Sequence, residues 1–407
     1  MKISDIIKYY SEGLELPPVL SKALLNLFNV ENVGDFSAQD IIKLKEANSM
    51  FYSGYNADYS KLAKEYALYY LPVNMYKVWK PLLDLALKRQ IRNISNVLEF
   101  GCGPGSTTFG IIEFFKMLAE ENPSEEFRLN FTLLEKERSF FVVFDALFNE
   151  YKLSLPKNLS IEIKKYNVNI FGDLMVLGDE QYDIVVESNV FNANEGIANN
   201  AKEVVEYLAN KLNRHSSIIM IEPGKESMLA SLRKIKNYFK YSKELHIFAP
   251  CTCNNTACEQ YATAALRINN ISLLKELSKI GIKSKDTNYH YFEYLILRND
   301  TLIAHTNSCT NIIPLSEVKK YEGKQVNVEA SVLVSQITEK ELFLKICDGT
   351  LIGKNKIELI IPLKILNRVK IDKTEIDRGA KVRVKKAKVI AFNLLECDDT
   401  CSIKIER

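Results

Sequence analysis

The segment from Val97 to Gly110 reads VLEFGCGPGSTTFG, and it decides the fold. An apolar run typical of a β-strand reaches Glu99, and three glycines, a cysteine and a proline then fill positions 101–105. A helical pattern follows. Glycine lets the backbone turn sharply and approach a ligand closely, so this turn indicates a ligand site. Its spacing, E-x-G-x-G-x-G, differs from the dinucleotide pattern G-x-G-x-x-G and lacks the Gly-Lys-Ser/Thr of a phosphate loop.

The composition is that of an ordinary globular chain. It has 407 residues, 47% apolar and 26% charged, enough for two or three domains. The net charge is +3, but residues 312–407 hold 19 Lys/Arg and 14 Asp/Glu, so the positive excess lies at the C-terminus. Neither a signal peptide nor an apolar stretch of about 18 residues is evident. We therefore expect a cytoplasmic protein without a membrane partner, with its eight cysteines reduced.

Three patterns follow one another along the chain. Residues 1–88 have the spacing of helices, interrupted by prolines. Residues 89–311 alternate seven apolar strands with helices, which indicates a mostly parallel sheet covered on both faces. The predicted helices are TTFGIIEFFKMLAE, NNAKEVVEYLANKLN, KESMLASLRKIKNYF and SLLKELSKIG. Residues 312–407 show five short strands, the fifth being CSIKIE (Cys401–Glu406), with a helix after the third, which favours an OB-type barrel over a small β-sandwich.

The glycine turn resembles motif I of class I S-adenosylmethionine (AdoMet) methyltransferases. The resemblance implies an α/β fold with a Rossmann-like methyltransferase sheet, here with an N-terminal helical region and a C-terminal OB-like β-barrel. It also implies that AdoMet contacts the turn. The cofactor-binding residues expected there are Glu99, Gly101, Cys102, Gly103, Pro104 and Gly105.

Polar residues at the ends of later strands extend this predicted site. Glu135 ends the second strand, where a carboxylate can accept both ribose hydroxyls of a nucleoside. Tyr166 and Asn167 follow the third strand and are expected beside the adenine, with Asp173 as the alternative. The residues expected to form the floor between cofactor and substrate are Ser188, Asn189 and Val190. The sequence identifies no catalytic base, and no Asn/Asp-Pro-Pro-Tyr/Phe signature follows the fourth strand.

A cysteine cluster interrupts the methyltransferase-like region near residues 249–270. APCTCNNTAC places Cys251, Cys253 and Cys258 close together, and Cys309 is a candidate fourth ligand. Clustered thiols in a reducing compartment indicate a soft metal, either zinc or an iron–sulfur cluster. The alternative is a loop of unliganded thiols.

A longer series of segments resembles one family more closely. YALYYLPVNMYKVWKPLLDLAL, LEFGCGPGSTT, YDIVVESNVF, MIEPGKESMLASLRKIK, FAPC and YFEYLILRND occur in this order over roughly residues 65–300. The series is similar to the methyltransferase-like family of mitochondrial small-ribosomal-subunit proteins and their prokaryotic relatives. The resemblance implies a role in small-subunit assembly or translation and, in some members, a 4Fe–4S cluster on four cysteines. The family's later Cys-Pro and Cys-His-Phe are missing here, so only Cys251 and Cys258 match it.

These patterns allow three functions. The first is an AdoMet-dependent methyltransferase acting on RNA of the small ribosomal subunit. The second is a non-catalytic ribosome-assembly or translation factor that still binds AdoMet, and the third is a methyltransferase for a protein or small molecule. The C-terminal strand KVRVKKAKVIAF could present a cationic face to RNA, although a solvated lysine-rich face is the alternative. Its candidate RNA-binding residues are Lys381, Arg383, Lys385, Lys386 and Lys388.

Overall fold

The computed structural model describes most of the chain. The described residues are 14–53, 61–169, 175–191, 195–224, 230–239, 242–250, 263–267, 272–282, 289–302, 312–349, 351, 356–368, 376 and 380–406. The chain divides into two compact units, one of Met1–His246 with Leu266–Leu302 and the other of Ile247–Ala265 with Ile303–Arg407. Within the described ranges, every helix is too short or too polar to span a bilayer.

Helices fill the described part of the N-terminal region, as the sequence predicts. They are α1 (Pro18–Asn26), α2 (Ala38–Ser53), α3 (Ala63–Asn74) and α4 (Trp79–Leu87). Short 3-10 turns lie at Val33–Asp35 and Met75–Val78.

The following strands form one sheet with helices between them. The strands are β1 (Ile94–Phe100), β2 (Phe127–Glu135), β3 (Leu159–Asn167), β4 (Tyr182–Ser188), β5 (Leu212–Pro223), β6 (His246–Ala249), β7 (Thr263–Arg267) and β8 (Tyr289–Arg298). The helices are α5 (Ser106–Glu121), α6 (Arg138–Tyr151), α7 (Glu195–Ala209), α8 (Ala230–Phe239) and α9 (Ser272–Lys279). Further 3-10 turns lie at Lys152–Ser154 and Met175–Leu177. Neither α6 nor β7 is among the elements predicted from the sequence.

The strand order is that of a Rossmann-like class I methyltransferase sheet. It runs β3-β2-β1-β4-β5-β8-β6, and β7 pairs with β8. Strands β1 to β5 are parallel, whereas β8 is antiparallel to β5. The order reverses direction between β1 and β4, so loops at the carboxyl ends of these two strands diverge and leave a crevice.

Close packing of the N-terminal helices fixes α5, the helix that follows the glycine turn. A Cβ at Gly110 would collide with the carbonyl oxygen of Met75, so glycine is required at this contact. The indole N–H of Trp79 donates to the Gly110 carbonyl oxygen at 2.8 Å, and Trp79 is fully buried. Because α5 starts at the turn, this packing also holds the turn in place.

The C-terminal unit contains a closed five-stranded barrel and not a β-sandwich. Its strands are β9 (Gln325–Ile337), β10 (Glu341–Cys347), β11 (Ile357–Pro362), β12 (Lys381–Ala391) and β13 (Leu394–Glu396), followed by β14 (Ser402–Glu406). Pairing runs β13-β11-β10-β9-β12, and β13 also pairs with β12, which closes the barrel. Helix α10 (Leu363–Arg368) lies between the third and fourth strands, and a 3-10 turn at Leu315–Tyr321 precedes the first.

One strand of the barrel differs from the sequence prediction. The fifth barrel strand is the three-residue β13, which is parallel to β11. The segment predicted as the fifth strand, CSIKIE, forms β14 and pairs with β12 outside the closed barrel. A three-residue strand is too short to give a periodic signal in the sequence.

Candidate cofactor-binding site

The crevice at the reversal of strand order collects the residues predicted to bind a cofactor. Doubly wound sheets bind ligands there, outside the carboxyl ends of the strands. The glycine turn follows β1, Glu135 ends β2, Tyr166 and Asn167 end β3, and Ser188 ends β4. Residues far apart in sequence therefore meet at one edge of the sheet.

The three glycines of the turn all have left-handed backbone angles. Their φ values are +64° at Gly101, +53° at Gly103 and +91° at Gly105, a region that disfavours side chains. A Cβ at Gly105 would also collide with the ring of Phe144. At Gly103, in contrast, an added Cβ would meet no atom within 4 Å. Gly103 thus exposes backbone to open space, as close approach of a ligand requires.

Glu135 links the end of β2 to this turn. Its Oε2 accepts the Gly103 N–H at 2.9 Å, and its Oε1 accepts the Glu137 N–H at 3.0 Å. Burial raises the pKa of Glu135, while those two N–H groups oppose the shift. Each carboxylate oxygen can accept a second hydrogen bond, so the side chain still has acceptor capacity for a ligand hydroxyl.

Glu99, near the end of β1, contacts the start of α5. It is only 2% exposed, and its Oε2 accepts a short hydrogen bond from the Thr108 hydroxyl on α5. Burial raises the pKa of Glu99 to about 8, although hydrogen bonds from Thr108 and Thr107 oppose the shift. Glu99 therefore joins β1 to the start of α5. Cys102 is also buried, and burial raises its pKa well above the ordinary range, so its thiol packs inside the turn.

The end of β3 supports the turn that follows β2. Asn167 lies opposite Glu135 in the sheet, and its Nδ2 donates to the carbonyl oxygens of Glu135 and Lys136 at 2.9 and 2.8 Å. Tyr166 is half-buried one position earlier. The alternative, Asp173, lies outside the described residues.

The loop after β4 lies against the glycine turn. A Cβ at Gly101 would come within 2.5 Å of Val190 Cγ2, so Val190 covers that glycine. Asn189 has a φ of +61°, unusual for a residue with a side chain, and its Nδ2 donates to Ser188 Oγ at 3.2 Å. Its Oδ1 is buried and meets no hydrogen-bond donor in the described part of the chain.

Two glutamates that support this loop were not predicted from the sequence. Glu187 on β4 and Glu222 on β5 are both fully buried. Burial, followed by the charge of Glu222, raises the pKa of Glu187 well above its ordinary value. A signal was available, since each is an acid near the end of an apolar strand, as Glu135 is.

The four cysteines of the predicted metal centre, Cys251, Cys253, Cys258 and Cys309, lie outside the described ranges. Among the described residues, no group of three or more His, Cys, Asp or Glu side chains is arranged to hold a metal ion. The metal centre therefore stays a prediction from the sequence.

The five basic residues predicted to bind RNA lie on the outer face of β12, because Val382, Val384, Ala387 and Val389 fill the barrel interior. A bulge after Val384 adds one residue, and Lys386, at a φ of +64°, donates its N–H to Asn327 Oδ1 at 2.9 Å. Lys385, Lys386 and Lys388 are exposed. Arg383 pairs with Glu329 at 2.5 Å, which offsets its charge locally.

Comparisons with known proteins give distant similarities. No family model matches the chain. A probable polyketide synthase of Dictyostelium discoideum is 23% identical over 158 residues, which is 36% of this chain and 5% of that protein. The chain therefore spans about a twentieth of the curated relative that it matches.

Solved structures give further distant matches. TehB from Haemophilus influenzae is 13% identical with a TM-score of 0.31, over 53% of this chain and 62% of TehB. The N-methyltransferase NodS from Bradyrhizobium japonicum, in complex with S-adenosylhomocysteine, is 12% identical with a TM-score of 0.32, over 60% of this chain and 99% of NodS. NSun6 from Pyrococcus horikoshii is 10% identical with a TM-score of 0.35, over 53% of this chain and 50% of NSun6. The Rossmann-like fold of the sheet rests on its strand order.

Proposed function

We propose that this chain is an AdoMet-dependent methyltransferase that acts on RNA of the small ribosomal subunit. The observation that carries the proposal is the meeting of Gly103 and Glu135 at the reversal of strand order. A bare backbone segment beside a carboxylate that retains acceptor capacity suits a nucleoside-containing ligand.

The described residues fit AdoMet in three respects. Gly103 leaves space for the cofactor beside the backbone, and Glu135 can accept the ribose hydroxyls. Asn189 offers a buried amide oxygen that has no donor among the described residues. A ligand amino or hydroxyl group would supply the missing donor, because buried polar atoms are normally paired.

Bound AdoMet supplies an activated methyl group, and the residues of the chain would mainly position the acceptor. Holding two reactants in line supplies much of the rate enhancement of such a transfer. The loop Ser188–Phe191 would border the acceptor side of the cofactor, because Val190 packs directly on Gly101. We assign no general base.

RNA is proposed as the acceptor on two grounds. The first is the resemblance of residues 65–300 to proteins that act in the small ribosomal subunit. The second is the barrel, whose strand β12 displays Lys385, Lys386 and Lys388 to solvent. OB-type barrels commonly bind single-stranded nucleic acids through such cationic surfaces.

Methyl transfer to ribosomal particles tests the proposal. Small subunits from cells lacking the protein are incubated with the purified protein and AdoMet labelled in its methyl group. Label in RNA that depends on Glu135 supports the proposal. AdoMet binding without transfer to RNA, protein or small molecules would favour the non-catalytic assembly factor, and label in protein would favour a protein methyltransferase. Absence of AdoMet binding by calorimetry would reject all of these assignments.

A further inference from the structure

Two buried glutamates lie diagonally across from each other on neighbouring strands at the carboxyl edge of the sheet. Strands β4 and β5 are parallel, with Glu187 opposite Met220. Glu222 lies two positions beyond Met220, so its side chain projects from the same face of the sheet as that of Glu187. Both residues are fully buried, and each electrostatically raises the cost of ionising the other.

Each glutamate accepts one backbone N–H of the loop after β4. Glu187 Oε2 accepts the Val190 N–H at 3.2 Å, and Glu222 Oε1 accepts the Phe191 N–H at 2.9 Å. The N–H of Asn189 goes to the carbonyl oxygen of Ile221 at 2.8 Å. The backbone N–H groups of residues 189–191 follow the end of β4, and each donates to a residue at the end of β4 or β5. Buried N–H groups require such acceptors.

These bonds fix the direction in which the loop leaves the strand. Asn189 is held at a φ of +61°, a backbone conformation that is strained for a residue with a side chain. Val190 is then directed onto Gly101, and the ring of Phe191 packs at 5.6 Å from that of Phe100. The loop is therefore held against both β1 and the glycine turn.

We propose that Glu187 and Glu222 are a positioning pair that holds residues 189–191 against the glycine turn and thereby shapes the acceptor side of the cofactor site. Glu293 on β8 lies directly opposite Glu222 and is also buried, so three acids meet at this edge of the sheet and cannot all ionise cheaply. Glu187 and Glu222 share one proton. The shared proton lets one carboxyl group donate to the other while each keeps an oxygen for the loop. That this loop borders a cofactor rests on the proposed function, whereas its attachment to the two glutamates does not.

Hydrogen exchange tests the attachment without any ligand. In Glu187→Ala, the Val190 N–H has no acceptor, so the amides of Val190 and Phe191 should exchange about tenfold faster, as expected when one hydrogen bond is removed. Glu187→Gln keeps an oxygen for Val190 and offers an N–H to Glu222, so its exchange should match that of the unmodified protein. The matched control is Glu113→Ala, which removes a largely buried acid on α5 that contacts Tyr151 and should leave the loop unchanged. Circular dichroism verifies that each variant is folded.

Calorimetry with AdoMet then tests the positioning role. Glu187→Ala should bind AdoMet about tenfold more weakly, whereas Glu187→Gln should retain its affinity, since only the alanine variant lacks the hydrogen bond to the loop. Unchanged loop exchange in Glu187→Ala would overturn the attachment. Faster exchange with unchanged AdoMet affinity would overturn the positioning role, and a glutamine variant as impaired as the alanine variant would overturn the shared proton. If the unmodified protein fails to bind AdoMet, the proposed function fails, and the exchange experiment still decides whether the attachment exists.

Discussion

Glu135 Oε2 accepts the backbone N–H of Gly103 at 2.9 Å, which ties the end of β2 to the middle of the glycine turn. The bond explains how a buried carboxylate is tolerated, because charged acceptors are stabilised by backbone N–H groups. It also places the glycine of the turn that borders open space beside the acid expected to receive a ribose.

The first prediction concerns this carboxylate. Glu135→Gln keeps one oxygen, which cannot serve Gly103, Glu137 and a ligand hydroxyl as well as two charged oxygens do. We expect AdoMet affinity to fall about 10- to 100-fold, since hydrogen bonds to charged groups contribute about 1.5–3 kcal/mol. Calorimetry measures the effect. Glu137→Gln is the control, because Glu137 contacts Glu135 through its main chain. Equal AdoMet affinities of the Glu135 and Glu137 variants would refute the ribose role.

The second prediction concerns Gly103. An arginine there would occupy the open space beside the backbone, so Gly103→Arg should abolish AdoMet binding measured by calorimetry. Backbone strain must be separated from this effect, since a side chain at a φ of +53° costs roughly 1–2 kcal/mol. Gly178→Arg is the matched control: Gly178 has a φ of +50° and open space around it, and its carbonyl oxygen accepts from Lys211 at the amino end of β5, opposite the edge that holds the turn. Loss of binding in both variants would attribute the effect to stability.

The third prediction concerns the contact between Gly101 and Val190. Gly101→Ala brings a Cβ to 2.5 Å from Val190 Cγ2 and should lower the free energy of unfolding by about 1–3 kcal/mol through overpacking, in addition to backbone strain. In a Val190→Ala background the overpacking disappears and the strain remains. Urea unfolding of the two single variants and the double variant should therefore show non-additive effects. Strict additivity would mean that the two side chains do not meet.

Much of this site follows from local sequence, and the remainder depends on strand register. The glycine turn is recognisable because the strand, the turn and the helix are contiguous. Glu187 gives a weaker signal, an acid near the end of an apolar strand, and its burial appears only when β4 lies beside β5. The hydrogen bond from Thr108 to Glu99 is likewise visible only in the packing of α5 against β1.

In the barrel, too, local sequence predicts some features, whereas others depend on which strands pair. Alternating valines and lysines in β12 correctly predict an inner and an outer face. Strand β13 has three residues and pairs with two strands distant in sequence, so no local pattern reveals it. Helix α6 was also not predicted, although its buried residues, including Phe141, Phe144 and Leu147, recur at helical spacing.

The fourth prediction concerns the pH dependence of stability at Glu99. Its pKa is raised from 4.5 to about 8, so the folded protein retains a proton that the unfolded chain has released. The free energy of unfolding should therefore fall as the pH rises from 4.5 to 8, by up to about 1.4 kcal/mol per pKa unit. Glu99→Gln has no such proton and should lose less stability over that window. The free energy of unfolding of both proteins is measured by urea unfolding at several pH values. If it changed equally with pH in both, the raised pKa would be contradicted.

The fifth prediction concerns the outer face of β12. Replacing Lys385, Lys386 and Lys388 with serine should weaken binding to single-stranded RNA, because each exposed lysine can neutralise one phosphate. The slope of log affinity against log salt should decrease in magnitude by about 0.7 for each phosphate that is no longer neutralised. Arg383→Ser should have a smaller effect, since Glu329 already offsets the charge of Arg383.

A control of equal charge separates a local RNA surface from net charge. Lys319, Lys340 and Lys364 are exposed on the same barrel but lie off β12, so their triple serine variant changes the net charge equally, although Asp399, at 3.2 Å, already offsets part of the charge of Lys364. This control variant should retain most of the RNA affinity and its dependence on salt. AdoMet binding should be unchanged in both triple variants, because the glycine turn belongs to the other compact unit. Equal losses in the two variants would indicate non-specific attraction between a cationic unit and RNA. Unchanged RNA affinity in both would mean that the barrel contacts no phosphates, so that any RNA specificity must come from the methyltransferase-like unit.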